Sequence, residues 1–157
     1  DRLPELNARG GIVAAEALKH HRALLARSEA EYDPRVAVRI RKGESLRPGE
    51  YEALLETRLA MIGRADEITA GFDAVLMPTV PITAPKTAAL EADDALFGAT
   101  NLLALRNPTV ANFLDRCAIS LPLPVAGLPV GLTLMGETMA DRALLAVARG
   151  VEELLAA

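Results

Sequence analysis

The sequence predicts an α/β fold in which a mixed central sheet is sandwiched by helices. Three apolar stretches, each bounded by Gly or Pro and short enough for a strand, lie at residues 72–78, 118–122 and 130–135. The two later stretches do not alternate polar with apolar residues, which predicts that both faces of these strands are covered. Helical patterns precede and follow the strands. Together these observations favour helices packed on a central sheet.

The helices are predicted from apolar spacing and from their capping residues. A helix is expected over 12–30, and Asp33 and Pro34 predict the N-cap and first turn of a short helix that ends near Gly43. A third helix runs from Pro48 to about residue 70, with Gly71 as its C-terminal cap. Further helices are predicted over 89–105 with an interruption near Gly98, from Pro108 to about residue 116, and over 140–157.

Composition excludes several classes of function. With 17 Lys and Arg against 21 Asp and Glu and only 3% aromatic residues, the chain lacks the positive field and stacking surfaces that nucleic-acid binding needs. Residues 117–136 are uncharged, but their prolines and glycines break any membrane-spanning helix. A single cysteine forms no internal disulfide, so we expect a cytoplasmic protein. From the charge balance and the prolines, we expect neither nucleic acid nor a membrane as a partner.

Catalytic and metal-binding patterns are missing from the sequence. Glu16, His20 and His21 share a predicted helix, but adjacent histidines point about 100° apart and cannot chelate one ion together. Cys117 adjoins an apolar strand and is predicted to pack as a small hydrophobic residue. No serine stands in a glycine-rich turn that would activate its hydroxyl. We therefore predict no catalytic residue, metal ligand or cofactor site in this segment.

Residues 106–122 are the exception, because they place Asn112 and Asp115 on a short helix that leads into a buried strand. Polar groups at such a position need partners, and a helix end of this kind suits the wall of a pocket. A capped helix end without a ligand explains the same spacing equally well.

Four blocks in this chain resemble the C-terminal part of amidase-signature hydrolases. They are FDAVLMPTVPITAP with its Pro-Thr-x-Pro strand end, RNPTVANFLDRCAISLP, GLPVGLTLMGETMADRALLAVARGVEE, and the helical stretch YDPRVAVRIRKGESLRPGEYEALLETR. The Asn-x-Leu-Asp-x-Cys-Ala segment is similar to allophanate hydrolase and to bacterial amidases. The A subunit of the glutamyl-tRNA(Gln) amidotransferase has Gly and Pro where this chain has Asp115 and Cys117, which weakens that alternative.

The resemblance implies that residues 1–157 are the C-terminal portion of one amidase-signature domain of a longer enzyme, which hydrolyses a carboxylic amide. Its serine nucleophile, second serine on a cis peptide and lysine base would precede this segment, which alone should be inactive. Thr79, Asn112 and Asp115 are the residues expected to contact substrate. The expected partners are a small-molecule amide and the N-terminal portion of the enzyme, with a homodimer left open. A non-catalytic interaction module with the same fold is the alternative from another class.

Overall fold

The computed structural model describes residues 6–7 and 10–156 and confirms the α/β class. The chain divides into two compact units, one up to Met61 and one from Ile62 onward, with the boundary inside the third described helix. The prediction that residues 1–157 are one portion of a single domain stays a prediction.

The first unit is built mainly on two helices, and their bounds agree closely with the predicted ones. Helix α1 spans Gly11–Ser28 and α2 spans Pro34–Arg41. The Asp33 carboxylate accepts a hydrogen bond from the Arg35 amide at 2.7 Å, which caps α2 as the Asp-Pro pair predicts. A 3-10 turn follows each helix, at Glu29–Glu31 and at Lys42–Ser45. The apolar core of the unit consists of Leu18, Leu25, Ala37 and Ile40, with Ala17 and Tyr32 packed against it.

Arg41, at the C-terminal end of α2, forms ion pairs with two glutamates. Arg41 donates hydrogen bonds to Glu29 and, at 3.0 Å, to Glu44. The hydrogen bond from Arg41 lowers the pKa of Glu29 below its ordinary value, because it stabilises the ionised carboxylate. The charges of Arg41, Glu29 and Glu44 are therefore paired with one another at this end of α2.

Helix α3 spans Glu50–Thr69 and ends where the sequence predicts. Gly71 follows with a φ of 87°, in the left-handed region that ends many helices, and the Phe72 amide bonds the Thr69 carbonyl at 3.1 Å.

Three strands form one sheet in the second unit, in the order β1-β3-β2. Strand β1 spans Val75–Pro78, β2 spans Ala118–Pro122 and β3 spans Gly131–Met135. Both pairings are antiparallel, so β1 and β2 run parallel to one another on either side of β3. In register, Ser120 faces Thr133 and Leu121 faces Leu132.

Helix α7, Asp141–Leu155, packs against one face of this sheet. Leu134 is fully buried there at 0% exposure, in a cluster with Leu121, Leu144 and Ala148. On the opposite face of β2, Ala118, Ser120 and Pro122 are exposed. In the part of the chain that the structure describes, β2 is therefore covered on one face only, although its uninterrupted apolar pattern predicts cover on both.

The segment between β1 and β2 corrects one sequence prediction. Helix α4 spans Thr87–Ala92, α5 spans Asp94–Arg106 and α6 spans Pro108–Phe113. The interruption falls at Asp93 and not near Gly98, because the Asp93 carboxylate caps α5 by accepting from the amides of Ala95 and Leu96 at 2.8 and 3.0 Å. Helix α6 also ends three residues earlier than predicted. In the described part of the chain, every helix is too short or too polar to cross a bilayer.

Candidate functional site

Three hydroxyl groups meet where β1 and β2 end and β3 begins, which we call the Thr79 end of the sheet. Thr79 Oγ1 lies 2.5 Å from Ser120 Oγ and 2.9 Å from Thr133 Oγ1. Thr79 and Thr133 are half-buried, whereas Ser120 is exposed. We call these residues the hydroxyl cluster. Ser120 and Thr133 lie in β2 and β3, and Thr79 directly follows β1, so the strand register holds the three together.

A glycine makes the close approach of these hydroxyls feasible. A Cβ atom on Gly131 would lie 2.5 Å from Thr79 Oγ1 and 2.6 Å from Ser120 Oγ, which is closer than such atoms can approach. The Thr79 amide also donates to the Gly131 carbonyl at 2.8 Å, which extends the pairing beyond β1. Gly131 therefore leaves the space that the side chains of Thr79 and Ser120 occupy.

Asn107 ties the junction of α5 and α6 to the same end of the sheet. Its Nδ2 donates to the Pro78 carbonyl at 2.7 Å, and its Oδ1 accepts from Arg106 Nε at 3.2 Å. Pro108 occupies the first turn of α6, directly after Asn107. Arg106, Asn107, Pro78 and Thr79 thus form a continuous series of contacts.

Asp115 lies at the other end of the sheet, where β1 and β2 begin. It adopts a left-handed φ of 59° just after α6, and the Arg116 amide bonds the Ala111 carbonyl at 3.0 Å, as in a Schellman C-cap. Thr138 donates to the Asp115 carbonyl at 2.5 Å. The backbone of Asp115 therefore terminates a helix, while its exposed side chain stays on the surface.

Arg116 links this turn to the C-terminal end of α3. Its side chain is only 2% exposed, and Nη2 donates to Asp66 at 2.5 Å and to Thr69 at 3.0 Å, both at the end of α3. Its Nε is buried without a hydrogen-bond partner among the described residues, beside a shallow depression that Asp73 and Glu137 help to line. The two acidic side chains disfavour an anion in this depression.

The structure does not bring the three predicted substrate-binding residues to one point. Thr79 joins the hydroxyl cluster, whereas Asp115 lies beyond the opposite end of β2, and the five residues of that strand span about 13 Å. Asn112 is exposed on α6, which runs between the two ends. Helix α6 is thus the element that connects all three, and a role in substrate binding stays a prediction for each of them.

The remaining chemical candidates have ordinary packing or hydrogen-bonding roles. His21 Nδ1 lies 2.8 Å from the Tyr32 hydroxyl, and Glu16 accepts from Tyr51 at 2.8 Å. Cys117 packs against the apolar cluster under α7 and donates through Sγ to the Glu137 carbonyl at 3.0 Å. Among residues 6–7 and 10–156, no three His, Cys, Asp or Glu side chains form a group that could hold a metal ion.

Sequence reasoning missed Ser120, Thr133, Asn107 and Arg106. Ser120 and Thr133 each occupy the middle of an apolar strand, and an isolated hydroxyl in such a strand is the one signal that points to them. Their meeting with Thr79 depends on strand order and register, which a pattern of single strands does not contain.

Comparisons with known proteins agree with this architecture. The Amidase family profile matches residues 5–145. The 2-amino-5-chloromuconic acid deaminase of Comamonas testosteroni is 31% identical over 153 residues, which cover 94% of this chain and 32% of that protein. The A subunit of glutamyl-tRNA(Gln) amidotransferase from Sulfurisphaera tokodaii is 31% identical over 106 residues, covering 67% of this chain and 22% of that protein.

Two solved structures share the fold. A crystal structure of an amidase superposes with a TM-score of 0.73 at 25% identity, covering 91% of this chain and 33% of its own. Allophanate hydrolase of Kluyveromyces lactis superposes with a TM-score of 0.74 at 25% identity, covering 92% of this chain and 24% of its own. The chain spans about a third or less of the length of these relatives. The fold that the four sequence blocks predict is therefore confirmed, and the chain belongs to the amidase family.

Proposed function

We propose that this chain is part of a longer enzyme that hydrolyses the C–N bond of a carboxylic amide. The observation that carries the proposal is the family match over residues 5–145, together with relatives about three times as long as the chain. An acyl-enzyme mechanism would use a serine nucleophile, a bridging serine and a lysine base, and we place all three in the part of the enzyme that precedes this segment.

The contacts of Ser120 support this assignment. Within the part of the chain that the structure describes, its hydroxyl bonds only Thr79, a neutral side chain that cannot act as a general base. Cys117 donates to a backbone carbonyl and is partly buried against apolar residues, which suits a packed thiol. We therefore propose that the segment is inactive alone and contributes structure and substrate contacts.

Within the enzyme, we propose that the segment forms one wall of the acyl pocket. Open α/β sheets bind ligands beyond the carboxyl ends of their parallel strands, and β1 and β2 both end at the Thr79 end. In this proposal α6, with Asn112 on it, forms the part of the wall that lies between Thr79 and Asp115.

Expression of the full-length enzyme tests the proposal. Ammonia or amine release from a panel of aliphatic and aromatic amides should be measurable, and residues 1–157 expressed alone should release none. An active isolated segment, or a folded full-length enzyme that cleaves no amide, would contradict it.

The amidotransferase relatives favour a second candidate, a glutamine-dependent transfer of ammonia to an acylated tRNA. Glutamine hydrolysis that rises sharply when glutamyl-tRNA(Gln), ATP and the partner chains are added supports this candidate. Hydrolysis of small amides without any of these supports the amidase. A folded parent protein that does neither but binds another chain supports a non-catalytic interaction module.

A further inference from the structure

The backbone of β2 is hydrogen-bonded on one side only. The Leu123 amide donates to a carbonyl just before β3, so the alternation of an antiparallel ladder turns Ile119 and Leu121 toward β3 as well. The amide and carbonyl groups of Ala118 and Ser120 therefore point to the outer edge of the sheet, where β2 is the last strand. Among the residues that the structure describes, none forms a hydrogen bond to these outward backbone groups.

The sequence leaves most of this edge unguarded against pairing. Edge strands of natural proteins usually carry a charged side chain, most often lysine, or lie under a helix or loop. Positions 117–136 contain no charged residue, and Ala118 and Ser120 are exposed. The nearest charge, that of Arg116, is buried against Asp66. Such a composition is typical of a strand inside a sheet.

The outer edge of β1 differs from that of β2. Asn107 donates to the Pro78 carbonyl at 2.7 Å, and this carbonyl points away from β3 because the next amide, that of Thr79, points toward it. A side chain of this chain therefore occupies the outer edge of β1 at its end. No described residue makes such a contact with the outer edge of β2. Of the two edges, β2 is the one at which a further strand fits.

A strand from elsewhere in the enzyme suits this edge better than other partners do. Outward groups two residues apart repeat about every 7 Å, a spacing that another extended backbone matches and a helix does not. The chain spans about a third of the length of its relatives, so most of the proposed enzyme lies outside it. A second copy would pair through two residues of each short strand, far less than the ~1,000 Å² that stable interfaces bury.

We propose that a β-strand from the part of the enzyme that precedes this segment pairs with the outer edge of β2, through the backbone groups of Ala118 and Ser120. The pairing makes β2 an interior strand of a larger sheet. This inference rests on the proposed function, in which the chain is part of a longer enzyme, and it names the surface by which the two parts join. Pro122 lacks an outward amide, so the added strand pairs toward the Ala118 end of β2.

Hydrogen exchange of the full-length enzyme tests the pairing directly. Residue-resolved mass spectrometry measures the outward amides of Ala118 and Ser120. The amide of Ile119, which bonds β3, is the protected standard, and that of Gly127 in the exposed loop after β2 is the unprotected one. After correction for intrinsic rates, the outward amides should exchange at least about a hundredfold more slowly than the Gly127 amide.

A proline on the outer edge gives a second measurement. Ala118→Pro removes one outward amide and keeps every amide that bonds β3, a change that a free edge tolerates and an interior strand does not. The unfolding temperature of the full-length enzyme should fall by at least about 5 °C. Ala118→Gly keeps the amide and should lower it by less than half as much. If the proline variant does not fold, the exchange rates of the wild type decide.

Two results would overturn the inference while amide hydrolysis stands. One is exchange of the Ala118 and Ser120 amides as fast as that of Gly127. The other is protection that appears only at concentrations where the enzyme dimerises, which would assign the edge to a second copy. Protection that persists in the monomer supports the inference. Because exchange and unfolding need no turnover, a folded enzyme with protected amides that cleaves no amide would contradict the proposed function alone.

Discussion

The two ends of the three-stranded sheet are built in different ways. At the Asp115 end, a buried arginine, a backbone cap and a carbonyl contact from Thr138 hold the turn in place. At the Thr79 end, neutral hydroxyls meet on an exposed face and keep one donor unused. Interactions that close a turn consume their donors within the chain, whereas a ligand site must retain some. The comparison therefore predicts that substitutions at the Asp115 end mainly change stability, whereas substitutions at the Thr79 end also change the choice of substrate.

The largest effect on stability is expected at the Asp115 end. Arg116→Ala removes a buried guanidinium from Asp66 and Thr69 and should lower the free energy of unfolding of the full-length enzyme by about 2–3 kcal/mol. Urea unfolding followed by circular dichroism measures this loss. Arg149→Ala is the control, because its pair with Glu153 is exposed and should contribute less than about 1 kcal/mol. Equal losses in the two variants would contradict the anchoring role of Arg116.

A smaller loss is expected from Gly131→Ala at the Thr79 end. The new Cβ would push Thr79 and Ser120 apart, so we expect the free energy of unfolding to fall by about 2 kcal/mol, which urea unfolding measures. Gly98→Ala is the matched control, since Gly98 has no atom within 4 Å of the added Cβ and lies inside α5, where Ala should stabilise by up to about 1 kcal/mol. If Gly131→Ala unfolds like the wild type, the hydroxyls are not held as described.

The smallest effects on stability are expected for the two exposed residues Asp115 and Asn112. Asp115→Gly keeps the left-handed backbone that ends α6, so the enzyme should stay folded and its free energy of unfolding should change by less than about 1 kcal/mol. The exposed Asn112→Ala should change stability by less than about 0.5 kcal/mol. If both residues contact substrate, each variant shifts the kcat/KM ratio between a small aliphatic and a bulky aromatic amide by a few-fold. An unchanged ratio in both would leave Asp115 as a helix terminator only.

The sequence predicted most elements because their signals are local. Strand β2 has the predicted bounds. The Asp-Pro pair starts α2, and a glycine in the left-handed conformation follows the end of α3, as predicted from these residue types. The break between α4 and α5 was predicted near Gly98 because glycine disfavours the helix interior. The break lies at Asp93 instead, because the Asp93 carboxylate accepts two hydrogen bonds that Gly98 cannot accept. The candidate site was predicted only through Thr79, since its partners Ser120 and Thr133 are 41 and 54 residues away. Strand order brings such residues together, and no local pattern records it.

The prolines that end β1 and β2 limit how this sheet can grow. The amides of Thr79 and Leu123 point toward β3, so the neighbouring Pro78 and Pro122 place their missing N–H groups on the two outer edges. A strand added to either edge would find no donor at that level and would have to pair nearer to Val75 or Ala118. Edge-to-edge pairing at the Thr79 end would therefore lose one backbone hydrogen bond on each side, which disfavours the addition of a further strand at that level.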